Sequence, residues 1–551
     1  MNIMLKLLKN CNSTKFVRLN QGISKIAIIA IVVAAAAVVA AATVIITQVG
    51  KPPAKPEIIT LTIGTTDPVV HLDPRKAYEF MSCEVIYNIF DTLVRYDPKT
   101  GQYIPWLAEN WDIEEDGKIW IFKLRKGVKF HNGKELTAED VKYTFDSVLA
   151  MKTDPSWMVD YVFEKVEVVD KYTVKFYAKI PSLVLPVLGF TVLAPVPKDV
   201  AEALGDEFDL KPVGTGPFKV VEFVPDQRLI LEKFEDYWNR DATPKVDRII
   251  IRFFKDSTAL RLALEKGEVD LVYRHLRIED YVSLEENPNF IVVKGEPPFI
   301  RYLVIANEKL SDVNVRKAIA YLLHSIAVDE IVNRIFKGYA KPLYSMVTPS
   351  LTYYYKPVFL KYRLSPDEAV SKARELLAQA NYSEDNKLKI ILGYTVDHYG
   401  PLEAFVADTI KKALEESKVI EVEVRGEEWG TYLEHAQRAR AFDIYLLGWY
   451  PDYLDPDNYL TYFIHSKHDT RTTRYNNSEV DELLEEAARE TDPEVRKTLY
   501  TRVQEIMAED VPIIPLWIPI YEYTAVAWKY VKGLELTPEG ILWFYKLEKA
   551  S

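Results

Sequence analysis

Residues able to do covalent chemistry are scattered in this 551-residue chain. No G-x-S-x-G elbow, no H-E-x-x-H pair and no setting for a cysteine nucleophile occurs, so the common hydrolytic constellations are missing. Eight histidines are spread along the sequence. His465 and His468 stand at the spacing of a metal pair on a helix, but Ser466-Lys467 between them and Asp469 after them read as a polar loop. The 81 acids leave room for a glycosidase-like carboxylate pair without marking one out. Gly214-Thr215-Gly216-Pro217 lacks the length and the lysine of a phosphate loop and reads as a tight turn into a strand. A different grouping remains in Gly448-Trp-Tyr-Pro-Asp452-Tyr453, where one carboxylate stands among Trp449, Tyr450 and Tyr453. Rings of this kind wall a pocket, and a desolvated carboxylate pairs with a cation in an orientation-dependent way. The plainer roles are a core tryptophan and, beside Pro451, a turn or cap aspartate.

Asp452 needs an element to carry it, and residues 442–447 (FDIYLL) read as a buried strand that ends just before it. From residue 57 onward strand-like and helix-like segments alternate. Residues 58–63 form a short apolar strand closed by Gly64, 118–124 alternate as a half-buried strand, and 248–254 suit a buried one. Residues 166–177 and 218–234 read as hairpins with turns at Asp170-Lys171 and Pro225-Asp226. Thr137 caps a helix with Asp140 at N3 and Val141, Phe145, Val148 and Leu149 on its apolar stripe. Ser365-Pro366-Asp367-Glu368 is a capping box with proline at N1. Asp492-Pro493 opens another helix, whose predicted inner face is Val495, Leu499, Val503 and Ile506. The body is mixed α/β without an internal repeat.

Length alone predicts two or three domains. The net charge is −12, yet Lys6, Lys9, Lys15, Arg18 and Lys25 precede Ile26 without an acid, so the rest of the chain is more negative still. That argues against nucleic acid as a partner, since phosphate neutralisation needs the opposite sign. Residues 26–46 form an uncharged apolar run about 31 Å long as a helix, enough to span a membrane. The cations before it place that end inside and the body outside. Cleavage within its alanines is the competing reading. Residues 51–56, Lys-Pro-Pro-Ala-Lys-Pro, read as a stiff spacer. Cys11 and Cys83 lie on opposite sides of the run, so no disulfide and no cysteine-rich metal site is expected.

Further segments occur in a fixed order: Trp106-Leu-Ala-Glu-Asn-Trp111, Trp120 to Gly133, Leu136-Thr-Ala-Glu-Asp-Val141, Val213-Gly-Thr-Gly-Pro-Phe218, Gly267-Glu-Val-Asp270, Val315-Arg-Lys-Ala-Ile319, the Gly448–Tyr453 stretch with Asp455-Pro456, and Asp510-Val-Pro-Ile-Ile-Pro-Leu516. Together they resemble the family 5 solute-binding proteins, the dipeptide and oligopeptide receptors of ABC importers. Asn20-Gln21-Gly22-Ile23-Ser24-Lys25 ahead of the apolar run is similar to the prepilin-type signals of archaeal, membrane-anchored members, which are cut after the glycine.

The resemblance implies an α/β, two-lobed periplasmic-binding-protein-like fold of type II with an extra domain, preceded by one transmembrane helix. The implied division is 1–25 basic cytoplasmic signal region, 26–46 anchor, 47–56 linker, and 57–92 first part of lobe 1. It continues with 93–189 extra domain, 190–300 second part of lobe 1, 301–509 lobe 2, and 510–551 return to lobe 1. It implies a monomer with no cofactor, held at the cell membrane with its body outside and served by permease subunits and their ATPases. Asp452 matches the family position that binds a peptide's amino group, and Trp429 a pocket position, with a helix start as its plainer role. Trp449, Tyr450 and Tyr453 flank Asp452, and Tyr302 lies just past the lobe switch. Arg301 reads as a partner for a ligand carboxylate or, more plainly, as half of a surface salt bridge. Oligosaccharides, which stack on Trp449, Trp429 and tyrosines, are the alternative ligand. An extracellular hydrolase is the alternative of another class, and a signalling receptor without a transporter is a third.

Overall fold

The computed structural model describes residues 58–467 and 473–550, together with eight helical residues between Ile26 and Val38. The chain divides into two units, Met1–Ile58 and Ile59–Ser551. In the first, the expected signal region 1–25, linker 47–56 and most of the expected anchor 26–46 lie outside the described residues. Among the described residues no helix is long and apolar enough to cross a membrane. His468 also lies outside them.

The second unit is built on three principal sheets. The first runs Phe290–Lys294, Thr524–Trp528, Leu271–Tyr273, Thr60–Thr65, Arg248–Phe253, Arg228–Lys233 and Phe218–Val224. Thr60–Thr65 is parallel to both neighbours, and Leu61 and Ile63 are wholly buried, as a central parallel strand requires. The second runs Lys341–Pro342, Ile513–Ile518, Ile300–Ile305, Ile444–Trp449, Leu388–Thr395 and Ile420–Glu427. The third is a four-stranded antiparallel sheet of Ala108–Glu114, Ile119–Leu124, Thr173–Ala178 and Phe163–Asp170, packed against the helix Ala138–Met151.

The chain passes from the first sheet to the second through residues 295–299 and returns through 519–523. The two crossings run side by side, with Gly295 N donating to Tyr523 O at 2.9 Å. A Cβ on Gly295 would meet the Tyr523 ring at 2.3 Å, so only glycine permits that approach. The return falls later than the expected boundary at Asp510. Strand Ile513–Ile518 is buried throughout and pairs antiparallel with Ile300–Ile305, which keeps it in the second lobe.

Local signals explain most element starts. Both capping boxes are formed, Thr137 with Asp140 and Ser365 with Glu368. The helix Pro493–Asp510 is capped by Asp492, and Leu499, Val503 and Ile506 are buried as expected, but Val495 is 42% exposed and Arg496 and Tyr500 join the inner face. The stripe is turned because Arg496 is drawn inward by the buried Asp455, at 2.8 and 2.9 Å. Gly214 and Gly216 do precede a strand, yet neither has a positive φ. Their role is close approach, since a Cβ on Gly214 would lie 2.0 Å from Ile89 O.

Candidate ligand-binding site

Two adjoining cavities lie between the lobes. The larger, about 940 Å³, is lined by Trp429, Trp449, Tyr302 and Tyr399 of the second lobe and Arg274 of the first. The smaller, about 240 Å³, is lined by Tyr78, Phe80 and Glu84 from one side and by Asp452 and Tyr453 from the other. Phe299 and Tyr450 border both. Their rings stack with centroids 3.4 Å apart, and Phe80 meets each edge-on. The large chamber lies within the size range of small-molecule sites, and the small one has room for about eight waters.

The segment after strand Ile444–Trp449 builds the polar centre. Asp452 is half-buried, and its backbone N–H donates to Asn458 Oδ1 at 3.0 Å. Asn458, at 0% exposure in helix Asp457–Ile464, returns an Nδ2–H to Asp452 Oδ2 at 3.2 Å. Asn458 Oδ1 also accepts from Trp449 Nε1 at 3.0 Å. One amide therefore fixes the ring before the turn and the carboxylate within it. From the first lobe, the Tyr78 hydroxyl donates to Asp452 Oδ1. Burial raises the Asp452 pKa above the ordinary carboxylate range, and among the described residues no cation pairs with it. Neighbouring acids have other duties. Asp455 holds Arg496, and Asp457 accepts from the Tyr453 hydroxyl at 2.6 Å and from Thr461 at 2.5 Å.

Arg274 gives the dividing wall its rigidity. It follows strand Leu271–Tyr273 with φ 65°, and His275 after it has φ 56°. Two consecutive non-glycine residues in the left-handed region carry strain that surrounding contacts must hold. Arg274 pairs with Asp67 at 3.1 Å, lies 3.8 Å from the Phe80 ring centre and donates to the Tyr450 hydroxyl at 2.8 Å. Burial alone would raise the Asp67 pKa, but Arg274 and His275 outweigh it and bring the group down to about 2. Nothing in the sequence marked Arg274, because its partners are remote along the chain.

Asp452 and Tyr453 face the small chamber, Trp429, Trp449 and Tyr302 face the large one, and Tyr450 touches both. Trp429 stacks on His398 at 3.8 Å with 5° between the planes. Tyr302 is 2% exposed with its hydroxyl on Gly448 O, so it offers the cavity little beyond a ring edge. Arg301 corrects an expectation. It is 1% exposed rather than at the surface, pairs with buried Glu403 at 2.8 Å, and lies 3.7 Å from the Tyr399 ring centre. Its strand is buried throughout, and Arg301 stands in the wall of the large chamber rather than on the outer surface. His465 is 5% exposed at the end of helix Asp457–Ile464 rather than in an open loop.

The family described as bacterial extracellular solute-binding proteins, family 5 Middle, matches residues 102–471. The chain belongs to that family. It is 28% identical over 513 residues to the dipeptide-binding protein DppE of Bacillus subtilis, covering 88% of this chain and 90% of that one. Among solved structures it matches the periplasmic binding protein DppA of Helicobacter pylori in complex with the peptide STSA. That match has 28% identity and a TM-score of 0.67, and covers 90% and 99% of the two chains. The unliganded open form of the murein tripeptide binding protein MppA shares the fold with a TM-score of 0.79 at 21% identity, over 90% of this chain and 98% of the other. These relatives are binding proteins, not enzymes.

Proposed function

We propose that this family 5 protein captures peptides outside the cell by their free ammonium group and passes them to an ABC permease. One observation carries the reading. The Asp452 carboxylate faces a cavity between the lobes, oriented by Asn458 and Tyr78, with no cation among the described residues paired to it. A ligand ammonium supplies the missing charge, while the roomier chamber beyond Phe299 and Tyr450 accepts the remainder of the chain without reading its sequence. Tyr78 and Asp452 come from opposite lobes, so a ligand touching both stabilises the closed arrangement. The basic residues before the apolar run 26–46 support a single-pass anchor with the body outside, and the protein acts as a monomer.

The Trp429–His398 stack in the large chamber favours an oligosaccharide as the second reading, since a sugar face would lie well on it. Mass spectrometry of ligand released on denaturing the purified protein separates the two. Peptides of varied sequence and narrow length support the proposal; a ladder of hexose masses overturns it. Alkaline extraction of membranes tests the anchor, which predicts the full chain in the pellet rather than the wash.

A further inference from the structure

The small chamber is lined by more carboxyl groups than one ammonium needs. Glu84, on helix Phe80–Ile89, is 2% exposed; its Oε1 accepts from Leu542 N at 2.6 Å, and its Oε2 is buried without a partner. Glu539, on the returning segment, uses Oε1 for Trp543 Nε1 at 3.4 Å and likewise leaves Oε2 buried and unpartnered. Both line the cavity that Asp452 lines. The cations nearby are committed elsewhere. Arg95 pairs with Asp91 at 2.9 Å between the rings of Trp106 and Trp543, Arg274 holds Asp67, and Lys546 holds Glu535 at 2.8 Å. A buried acceptor with nothing to accept is destabilising, and two of them at one cavity call for a donor from outside.

We propose that the small chamber selects peptides whose first residue is basic, its Lys or Arg side chain meeting Glu84 and Glu539 while its ammonium rests on Asp452. The inference deepens the peptide reading and rests on it. The position follows from size, since the chamber holds about one side chain. The residue whose ammonium sits on Asp452 is then the one whose side chain fills it, and the rest of the peptide passes Phe299 and Tyr450 into the larger chamber. Burial raises the pKa of both glutamates, and for Glu84 the nearby Glu539 adds to the rise.

The test is calorimetry on the full chain, purified in detergent and stripped of ligand, with Lys-Ala-Ala, Arg-Ala-Ala, norleucine-Ala-Ala and Ala-Ala-Lys. Norleucine keeps the aliphatic stem of lysine without its charge. The expected result is at least tenfold tighter binding of the two peptides with a basic first residue than of the other two. Glu84→Gln and Glu539→Gln should each shrink the lysine-to-norleucine ratio, and the double variant should bring it near one. Equal affinity for lysine and norleucine peptides in the unaltered protein overturns this inference alone. A preference that survives the double variant also overturns it. If none of the peptides binds, the peptide reading falls and takes the inference with it.

Discussion

Replacing Asp452 by Asn removes the charge that the account assigns to the ligand ammonium and leaves the side chain's shape. At hydrogen-bond contact and an effective dielectric constant near 20, two unit charges attract by about 5 kcal/mol, from which the desolvation of both must be subtracted. Loss of one partner of such a pair costs about 2–5 kcal/mol, and a middle value of about 3 kcal/mol is roughly a hundredfold in Kd. Calorimetry with trialanine and N-acetyl-trialanine completes a cycle. Acetylation removes the ammonium, Asp452→Asn removes the carboxylate, and the two losses should not add, because each deletes the same interaction. The unliganded protein gives a second readout. Burial raises the Asp452 pKa in the folded state. The stability linked to its proton is therefore complete below the ordinary carboxylate range and is lost as pH rises through the raised value. At neutral pH the unliganded Asn variant should thus melt no lower than the wild type, and any gap should close on acidification. Additive losses, or a variant melting several degrees lower, would return Asp452 to the role of a structural turn aspartate.

Three other perturbations test the framework. Asn458→Ala strands the Trp449 indole N–H and the Asp452 amide without their acceptor, and should weaken trialanine binding about tenfold by calorimetry; unchanged affinity would remove Asn458 from the site. Arg496→Met leaves Asp455, 3% exposed, as an unpaired buried charge, a loss of about 3–5 kcal/mol. For a body of this size that is about 3–5 °C in a thermal melt, and no change would show the pair to be replaceable. Gly214→Ala drives a methyl to 2.0 Å from Ile89 O, and should cost about 1–3 kcal/mol or more, read as a lower Tm with the far-ultraviolet spectrum retained.

Local code was readable and tertiary pairing was not. The capping boxes at Thr137 and Ser365 and the proline start at Pro493 are decided within one helical turn, so the sequence shows them directly. Asp452 was accessible because it directly follows a strand with a strong apolar signal. Val495 was misplaced because periodicity counts apolar residues and cannot foresee that Asp455 would draw Arg496 inward. The surface salt bridge expected as the plainer role of Arg301 fails for the same reason. Its partner Glu403 lies about a hundred positions away, and charged residues are buried only when paired. The Glu84–Glu539 chamber needs the return of the chain after Ile518, a contact across most of the sequence that no local pattern announces. Asn458 could have been found, since a polar residue on the inner face of a short helix just after the candidate anchor is a natural positioning group.

The most direct measurement is a crystal structure of the protein with trialanine bound. The account predicts the peptide's ammonium nitrogen within hydrogen-bond distance of an Asp452 carboxylate oxygen, with the chain running past Phe299 and Tyr450 into the large chamber. A peptide anchored elsewhere, with Asp452 holding only Tyr78 and Asn458, would contradict it.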